Sequence, residues 1–333
     1  MTRLRILTWH VHGSYLDSLV RTGHEFFLPV TEEGGHRLGG IGHWGWPSDR
    51  VHEVPEAVVR DLDMDLVVYQ SARNWREDGP RILSEAQARG PRIHIEHDPP
   101  WADPTEARHP VDDPDVLLVH VTSFNALMWD AGRTPTRVIE HGVPEPDGVR
   151  WTGELERGLV VINDLGTRGR RIGKDIFEQA RTAVPMDLVG MRSAELGGLG
   201  EVLRADLPAF SARYRFFFHP ARYTSFGMAV CEAMMIGMPV VALATTEMPT
   251  VPENGRSGVI HTDSARLIDG ARELVRDHGL ASRLGAAGQA IARERFSIAR
   301  FTREWDGAFR EVVGARRTAR KDPAAPVAAG ASR

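Results

Sequence analysis

The sequence predicts an α/β protein built as two successive halves, each with a parallel sheet. Three observations carry that reading. Short β-branched or aromatic runs alternate with helical segments from Leu4 onward; the alternation stops at a polar stretch rich in Pro and Gly, Pro144 to Arg157 (PEPDGVRWTGELER); and it restarts at Gly158. The 333 residues suffice for two cores of ordinary size, and 42% hydrophobic with 26% charged residues is globular composition, which sets aside a disordered or fibrous chain.

Taken in order, Leu4 to His10 (LRILTWH) reads as a strand, Leu16 to Thr22 as a helix closed by Gly23, and Glu25 to Val30 as a second strand. Parallel strands need a crossover of this length. The loop after the first strand falls at the carboxyl edge of the sheet, where such folds place ligands, so His10, His12, Gly13 and Ser14 are candidates for substrate contact. Glu33 to Pro47 (EGGHRLGGIGHWGWP) has no period and is either an acceptor-binding flap or an irregular surface loop. Val54 to Leu62 reads as a helix, Leu66 to Tyr69 as a strand, Pro80 to Arg89 as a helix and Arg92 to Glu96 as a strand ending at His97. Asp63 and Asp65 lead into a strand, which favours a solvated turn over a metal-bound diphosphate. His97, also at a strand's carboxyl end, is either functional or a plain packed histidine. Val116 to Val121 is a strand and Ser123 to Ala131 a helix, and Arg137 to Glu140 leads to His141 and Pro144.

In the second half, Gly158 to Asn163 and Met186 to Gly190 read as strands around a helix at Asp175 to Ala183. Before that helix the loop DLGTRGRRIGK packs Arg168, Arg170, Arg171 and Lys174 among three glycines. Such a composition can wrap a diphosphate with backbone N–H groups and guanidinium forks, the alternative being a solvated basic face. Gly197-Gly198-Leu199-Gly200 is too loose for a dinucleotide fingerprint. Helices follow at Ala265 to Arg276, Leu280 to Arg293 and Ala299 to Val313, the last with Phe301, Trp305, Phe309 and Val312 on one stripe that should be docked. The tail from Thr318 to Arg333, rich in Ala and Pro, is expected to be disordered.

The most informative stretch runs from His219 to Gly258. Thr224 and Ser225 suit helix N-caps, FGMAVCEAMM is an apolar run, Gly237 and Pro239 form a stop, and VVALA is a strand. Glu232 is carried inside the apolar run and must find donors; a ligand diol would serve, and so would a buried Arg. Cys231, the single cysteine, sits in the same run and reads as a small core hydrophobe in a reducing compartment. A net charge of −4 gives no basic field for nucleic-acid polymers or anionic membranes, and no apolar run approaches spanning length, so a cytoplasmic location is expected. Lys174 and Lys321 are the only lysines, an Arg bias that fits a GC-rich genome.

Taken together, Gly23-His24-Glu25, VIEHGVP (Val138 to Pro144), SFGMAVCEAMMIGMPVVA (Ser225 to Ala242) and ENGRSGVI (Glu253 to Ile260) resemble the retaining GT-B-fold glycosyltransferases of family four, also called group one. The resemblance implies two Rossmann-like domains with parallel sheets facing across a cleft. Residues 1–148 would form the acceptor domain, with the helix at 299–313 packing back on it, residues 149–298 the donor domain, and 318–333 a disordered tail. Glu232 matches the second glutamate of the family's pair and would bind the donor's ribose hydroxyls. Thr224, Ser225, Phe226, Gly227 and Met228 would offer backbone N–H groups to the diphosphate and sugar. His97 corresponds to a histidine that touches the donor sugar, and His12, Gly13 and Ser14 to the loop under the phosphates. Arg168, Arg171 and Lys174 would neutralise the leaving diphosphate, with no metal and no cofactor beyond the nucleoside-diphosphate sugar as co-substrate. Thr224 stands where the first glutamate of the pair is expected, so Glu247 is a candidate to take over sugar recognition. The implied activity is retaining transfer of a glycosyl group from the nucleotide sugar to a soluble small-molecule acceptor, by a monomer or homodimer. The alternatives are an epimerase or hydrolase of nucleotide sugars and a non-catalytic binding module.

Overall fold

The computed structural model describes residues 2–31, 40–42 and 44–321. Most of the Gly- and Trp-rich loop and the tail beyond Lys321 lie outside them. The chain divides into two compact units: unit 1 holds Met1–Val121, Ala126–Ile139 and the chain from Phe301, and unit 2 holds Thr122–Asn125 and Glu140–Arg300.

Among the described residues, unit 1 contains seven strands: β1 (Arg5–Thr8), β2 (Glu25–Val30), β3 (Val51–Pro55), β4 (Leu66–Tyr69), β5 (Arg92–Glu96), β6 (Val116–His120) and β7 (Thr136–Val138). They lie in the order β3-β2-β1-β4-β5-β6-β7, and every pairing is parallel. The central strands β4 and β6 are buried at every residue, the pattern of a sheet covered on both faces. Because β1 is flanked by β2 on one side and β4 on the other, the strand order reverses there, and the loop after β1 opens at the switch point.

Unit 2 contains β8 (Leu155–Val161), β9 (Met186–Val189), β10 (Tyr214–His219), β11 (Val240–Leu243) and β12 (Gly258–His261), in the order β12-β11-β10-β8-β9, again all parallel. Here the reversal lies between β8 and β10. The loops that leave their carboxyl ends are the basic loop and the HPARYTS loop, 45 or more positions apart in sequence but neighbours in the fold.

The helix Ile298–Lys321 places Phe301, Trp305 and Phe309 at zero exposure in unit 1, with Trp305 Nε1 donating to the Tyr15 hydroxyl at 3.2 Å. His24 and Asp306 add a polar contact at 2.9 Å. This helix outruns the expected 299–313, because the Ala- and Arg-rich residues after Val313 are strong helix formers, and it takes Thr318 to Lys321 out of the expected disordered tail.

Other expectations are corrected. Val54 to Leu62 is not a helix; β3 pairs with β2 through Val51 to Pro55, and Glu56–Asp61 forms a 3₁₀ turn. The open edge of β2 overrides a weak local helical preference. The helix expected at Pro80 to Arg89 is two short ones, Gly79–Ile82 and Glu85–Ala88. Leu83 turns extended between them and Ser84 restarts the chain with a capping box to Gln87. Strands β10 and β12 were not foreseen as elements.

The helix His278–Arg295 meets the turn that follows the helix Met228–Met235 backbone to backbone. A Cβ on Gly285 would lie 2.0 Å from the carbonyl oxygen of Gly237. Gly285→Ala is therefore expected to lower unfolding stability by about 2 kcal/mol, the scale of overpacking a tight contact. A urea midpoint equal to wild type would show instead that the helices slide apart without cost. No helix among the described residues is long and apolar enough to cross a membrane.

Candidate functional site

In unit 2 the site is built at the switch point. After β8 the chain forms two short helical turns, Leu165–Arg168 and Gly169–Ile172, before the helix Lys174–Arg181. Gly173 joins them with φ 84°, and a Cβ there would stand 2.0 Å from the Pro220 carbonyl oxygen. Only glycine permits that conformation and that approach. The basic loop is thereby pressed against the loop after β10, and two further bonds fix it: the amides of Arg222 and Tyr223 both donate to the Arg171 carbonyl, at 2.9 and 3.1 Å. Arg222 also grips Asp175 with two nitrogens, at 2.6 and 2.8 Å, which holds that carboxyl below the usual carboxylate range.

The four basic residues of the loop have different fates. Arg170 turns outward, 76% exposed, to Asp175 at 2.7 Å. Arg168, Arg171 and Lys174 stay half-buried. Arg168 lies near His219, whose pKa is pushed down to about 4 by burial, with the Arg168 charge adding to it. His219 ends β10 and, as a neutral ring, faces the approach to Gly227.

The apolar helix begins at Met228 rather than Phe226. Gly227 is its N-cap and contributes no side-chain cap bond, so neither Thr224 nor Ser225 serves as cap. Ser225 is buried with its hydroxyl accepting from Asn125 Nδ2 at 3.3 Å, and the Phe226 carbonyl accepts from His141 Nε2 at 2.6 Å. His141 itself is held by Arg300, whose Nη2 donates to its carbonyl at 2.6 Å. Thr224, Gly227 and Met228 remain half-buried, and first-turn amides of a helix point out of its N-terminus.

Glu232 answers the question its sequence context raises. Its Oε1 accepts from Arg204 Nη1 at 3.1 Å, with both side chains 27% exposed. Cys231 beside it is fully buried, and burial pushes its thiol pKa up, with the carboxylates of Glu232 and Glu140 adding. Glu247 is 3% exposed, its Oε2 accepting from the Phe124 amide and its Oε1 from the Thr250 hydroxyl, both at 2.7 Å. In this structure its carboxylate ties two segments of unit 2 together.

In unit 1 the loop after β1 enters the helix Gly13–Val20, which starts earlier than expected. His12 and His97 come together there, ring centroids 4.2 Å apart, with Tyr15 edge-on to His97 at 4.7 Å. Burial pushes the His12 pKa down to about 4, although the residue as a whole is exposed. Gly13 is covered by Trp44, which a Cβ would meet at 2.1 Å, and His10, with Nδ1 2.6 Å from the Gly40 carbonyl, packs against the stacked Trp44 and Trp46. Ser14 follows in the first turn of the helix.

A second histidine group lies below this loop. Among the described residues, His94, Glu96 and His109 bring ligand-type atoms within 4.8 Å of one another. The Val111 amide donates to His109 Nδ1 at 3.1 Å, so the proton of a neutral His109 sits on Nε2, 3.2 Å from Glu96 Oε2. Both ring nitrogens of His109 are thus engaged within the protein, whereas, among the described residues, the two of His94 are buried without a hydrogen-bond partner.

Arg204, Arg222, His141 and His219 were not among the residues singled out. Arg222 and His219 stand inside the HPARYTS loop, so the strand end of β10 was the signal for them; Arg204, 28 positions before its partner, has none.

Residues 188–277 match the family described as glycosyl transferases group 1. That segment is similar to group 1 glycosyl transferases. It contains Arg204, Thr224 to Met228, Glu232 and Glu247. The chain is also 40% identical over 62 residues to O-antigen chain mannosyltransferase B of Escherichia coli, a match covering 19% of this chain and only 16% of that relative. Among solved structures, the sucrose-phosphate synthase of Thermosynechococcus elongatus superposes with TM-score 0.70 at 15% identity, covering 94% of this chain and all of that one. The Anabaena protein HepE in complex with UDP-glucose gives TM-score 0.71 at 16% identity over 93% of this chain and all of its own. At such identities the likeness is one of fold: two parallel-sheet, Rossmann-like units of the GT-B type.

Proposed function

We propose that the chain is a glycosyltransferase of the group one type that transfers a sugar from a nucleoside diphosphate to a soluble small-molecule acceptor, with retention at the anomeric carbon. The observation that carries this reading is the convergence, at the β8/β10 switch point, of the half-buried Arg168, Arg171 and Lys174 with the loop leading to the helix N-terminus at Gly227. Guanidinium forks, an ammonium and helix-terminal amides together match a diphosphate whose charge grows as it leaves. The loop's cations supply the charge that a metal supplies in other transferases. Glu232 binds the ribose hydroxyls, and His97, beside His12, meets the donor sugar. Thr224 and Gly227 line the sugar's approach, while Glu247 is taken up by Phe124 and Thr250. The UDP-glucose bound to HepE and the mannosyl transfer named for the E. coli relative support the donor class.

A thermal-shift screen over UDP, GDP, ADP and TDP at one concentration identifies the base, since stabilisation grows with the logarithm of the ligand's affinity. With the preferred diphosphate, Glu232→Ala is expected to weaken binding by about 2 kcal/mol by titration calorimetry, the scale of a charge-assisted hydrogen bond in a closed site. Equal affinity in a folded variant would refute the ribose assignment. Turnover that requires an acceptor separates transfer from epimerisation or hydrolysis, and an inverted product anomer would refute retention.

A further inference from the structure

We infer that Arg204 is the positioning residue of the ribose subsite, its ion pair with Glu232 fixing the carboxylate that selects ribonucleotides over 2′-deoxyribonucleotides. The inference rests on the donor-site reading of Glu232. Glu232 leaves a helix in which Val230, Cys231, Ala233 and Met234 are all buried and apolar. An anchor comes from the loop after β9. That loop is itself rigidly placed: the Gly190 amide donates to the Gly200 carbonyl at 2.9 Å, Ser193 Oγ bonds the Gly200 carbonyl and amide at 3.1 and 3.0 Å, and the amides of Asp206 and Leu207 donate to Leu203 at 2.9 and 3.0 Å. Arg204 thus presents its guanidinium from a closed turn to Oε1 of Glu232 at 3.1 Å.

The pair is compatible with a bound diol. An ionised carboxylate offers about four acceptor directions, so one guanidinium bond and two ribose hydroxyls fit together. Held in place, the carboxylate surrenders little rotamer freedom on binding, whereas a swinging one surrenders most of it. An ionised carboxylate accepts from both hydroxyls at once. Selection against a missing 2′-hydroxyl then depends on Arg204 as well as on Glu232, because a carboxylate free to reorient makes up for the lost hydroxyl with water.

The test is titration calorimetry of UDP and 2′-deoxy-UDP, or of the GDP or ADP pair if the screen selects that base, against wild type, Glu232→Gln, Arg204→Met and Arg204→Lys, with melting curves for each. Wild type is expected to prefer the ribonucleotide by about tenfold or more. Arg204→Met should reduce that preference to within about threefold through weaker ribonucleotide binding, and Arg204→Lys should restore part of it, a rescue that a purely structural role would not give. If wild type and Glu232→Gln both bind the two nucleotides equally, the ribose reading of Glu232 falls and takes this inference with it. If wild type and Arg204→Lys discriminate alike and Arg204→Met does too, the inference alone is overturned. Tighter ribonucleotide binding by Arg204→Met would overturn it as well, since the pair would then be a competitor of the diol. Should Arg204→Met fail to fold, Arg204→Gln is read by the same criteria.

Discussion

Between pH 6.5 and pH 5, unit 1 is expected to lose about 3 kcal/mol of unfolding stability. His94 on β5 and His120 on β6 are completely buried, and burial pushes their pKa from 6.5 to about 3 and about 4, with His109 nearby adding to both. The unfolded chain takes up a proton at each ring in this interval while the native state refuses it. Native pKa values below the unfolded ones mean that the stability is whole above pH 6.5 and is lost as the pH falls towards about 4. The full slope is about 1.4 kcal/mol per pH unit for each ring and about half of that at pH 6.5, where the unfolded rings are half protonated, so two rings give about 3 kcal/mol over the interval. His219 acts likewise in unit 2, at half that slope, whereas the exposure of His12 as a whole discounts its similar shift. Hydrogen exchange of the β5 and β6 amides as a function of pH, corrected for the intrinsic rate, measures the loss. His120→Gln should halve the slope in unit 1, and protection independent of pH between 6.5 and 5 would contradict the prediction.

The double variant Arg168→Gln/Lys174→Gln is expected to lower kcat/KM for transfer by about 10² to 10³, the scale of removing preorganised charge from a departing oxyanion. Arg170→Gln provides the internal comparison. Its guanidinium is 76% exposed and turned to Asp175, so its loss should change kcat/KM by less than about threefold. Melting curves keep folding out of the comparison. Equal damage from Arg170→Gln would mean that net charge, rather than placement at the switch point, governs the reaction.

Which basic residue faces the site was not legible in the sequence. Arg168, Arg170, Arg171 and Lys174 share one loop, and their orientations depend on a left-handed Gly173 that abuts Pro220. Local pattern did place β2, β4 and β5 to the residue, because apolar runs in β2 and β4 and alternating isoleucines in β5, each bounded by turn signals, leave little choice of register. It failed at β3, an edge strand that exists only because β2 offers it a partner, and at the start of the helix at Met228, where Gly227 displaced better-looking caps. The context of Glu232 left two solutions open, a ligand or an arginine, and the fold supplies Arg204.

Alone, then, the sequence determined the α/β class, the two halves and the docked stripe of Phe301, Trp305 and Phe309, all of them consequences of hydrophobic period and turn chemistry acting over a few residues. The tertiary structure decided the strand order. By laying β10 against β8 it brought the basic loop to the HPARYTS loop, and by folding the turn at Leu203 it brought Arg204 to Glu232. Such meetings depend on long-range strand pairing and backbone approach, and no local pattern contains them because the partners are strangers in sequence until the sheet is assembled.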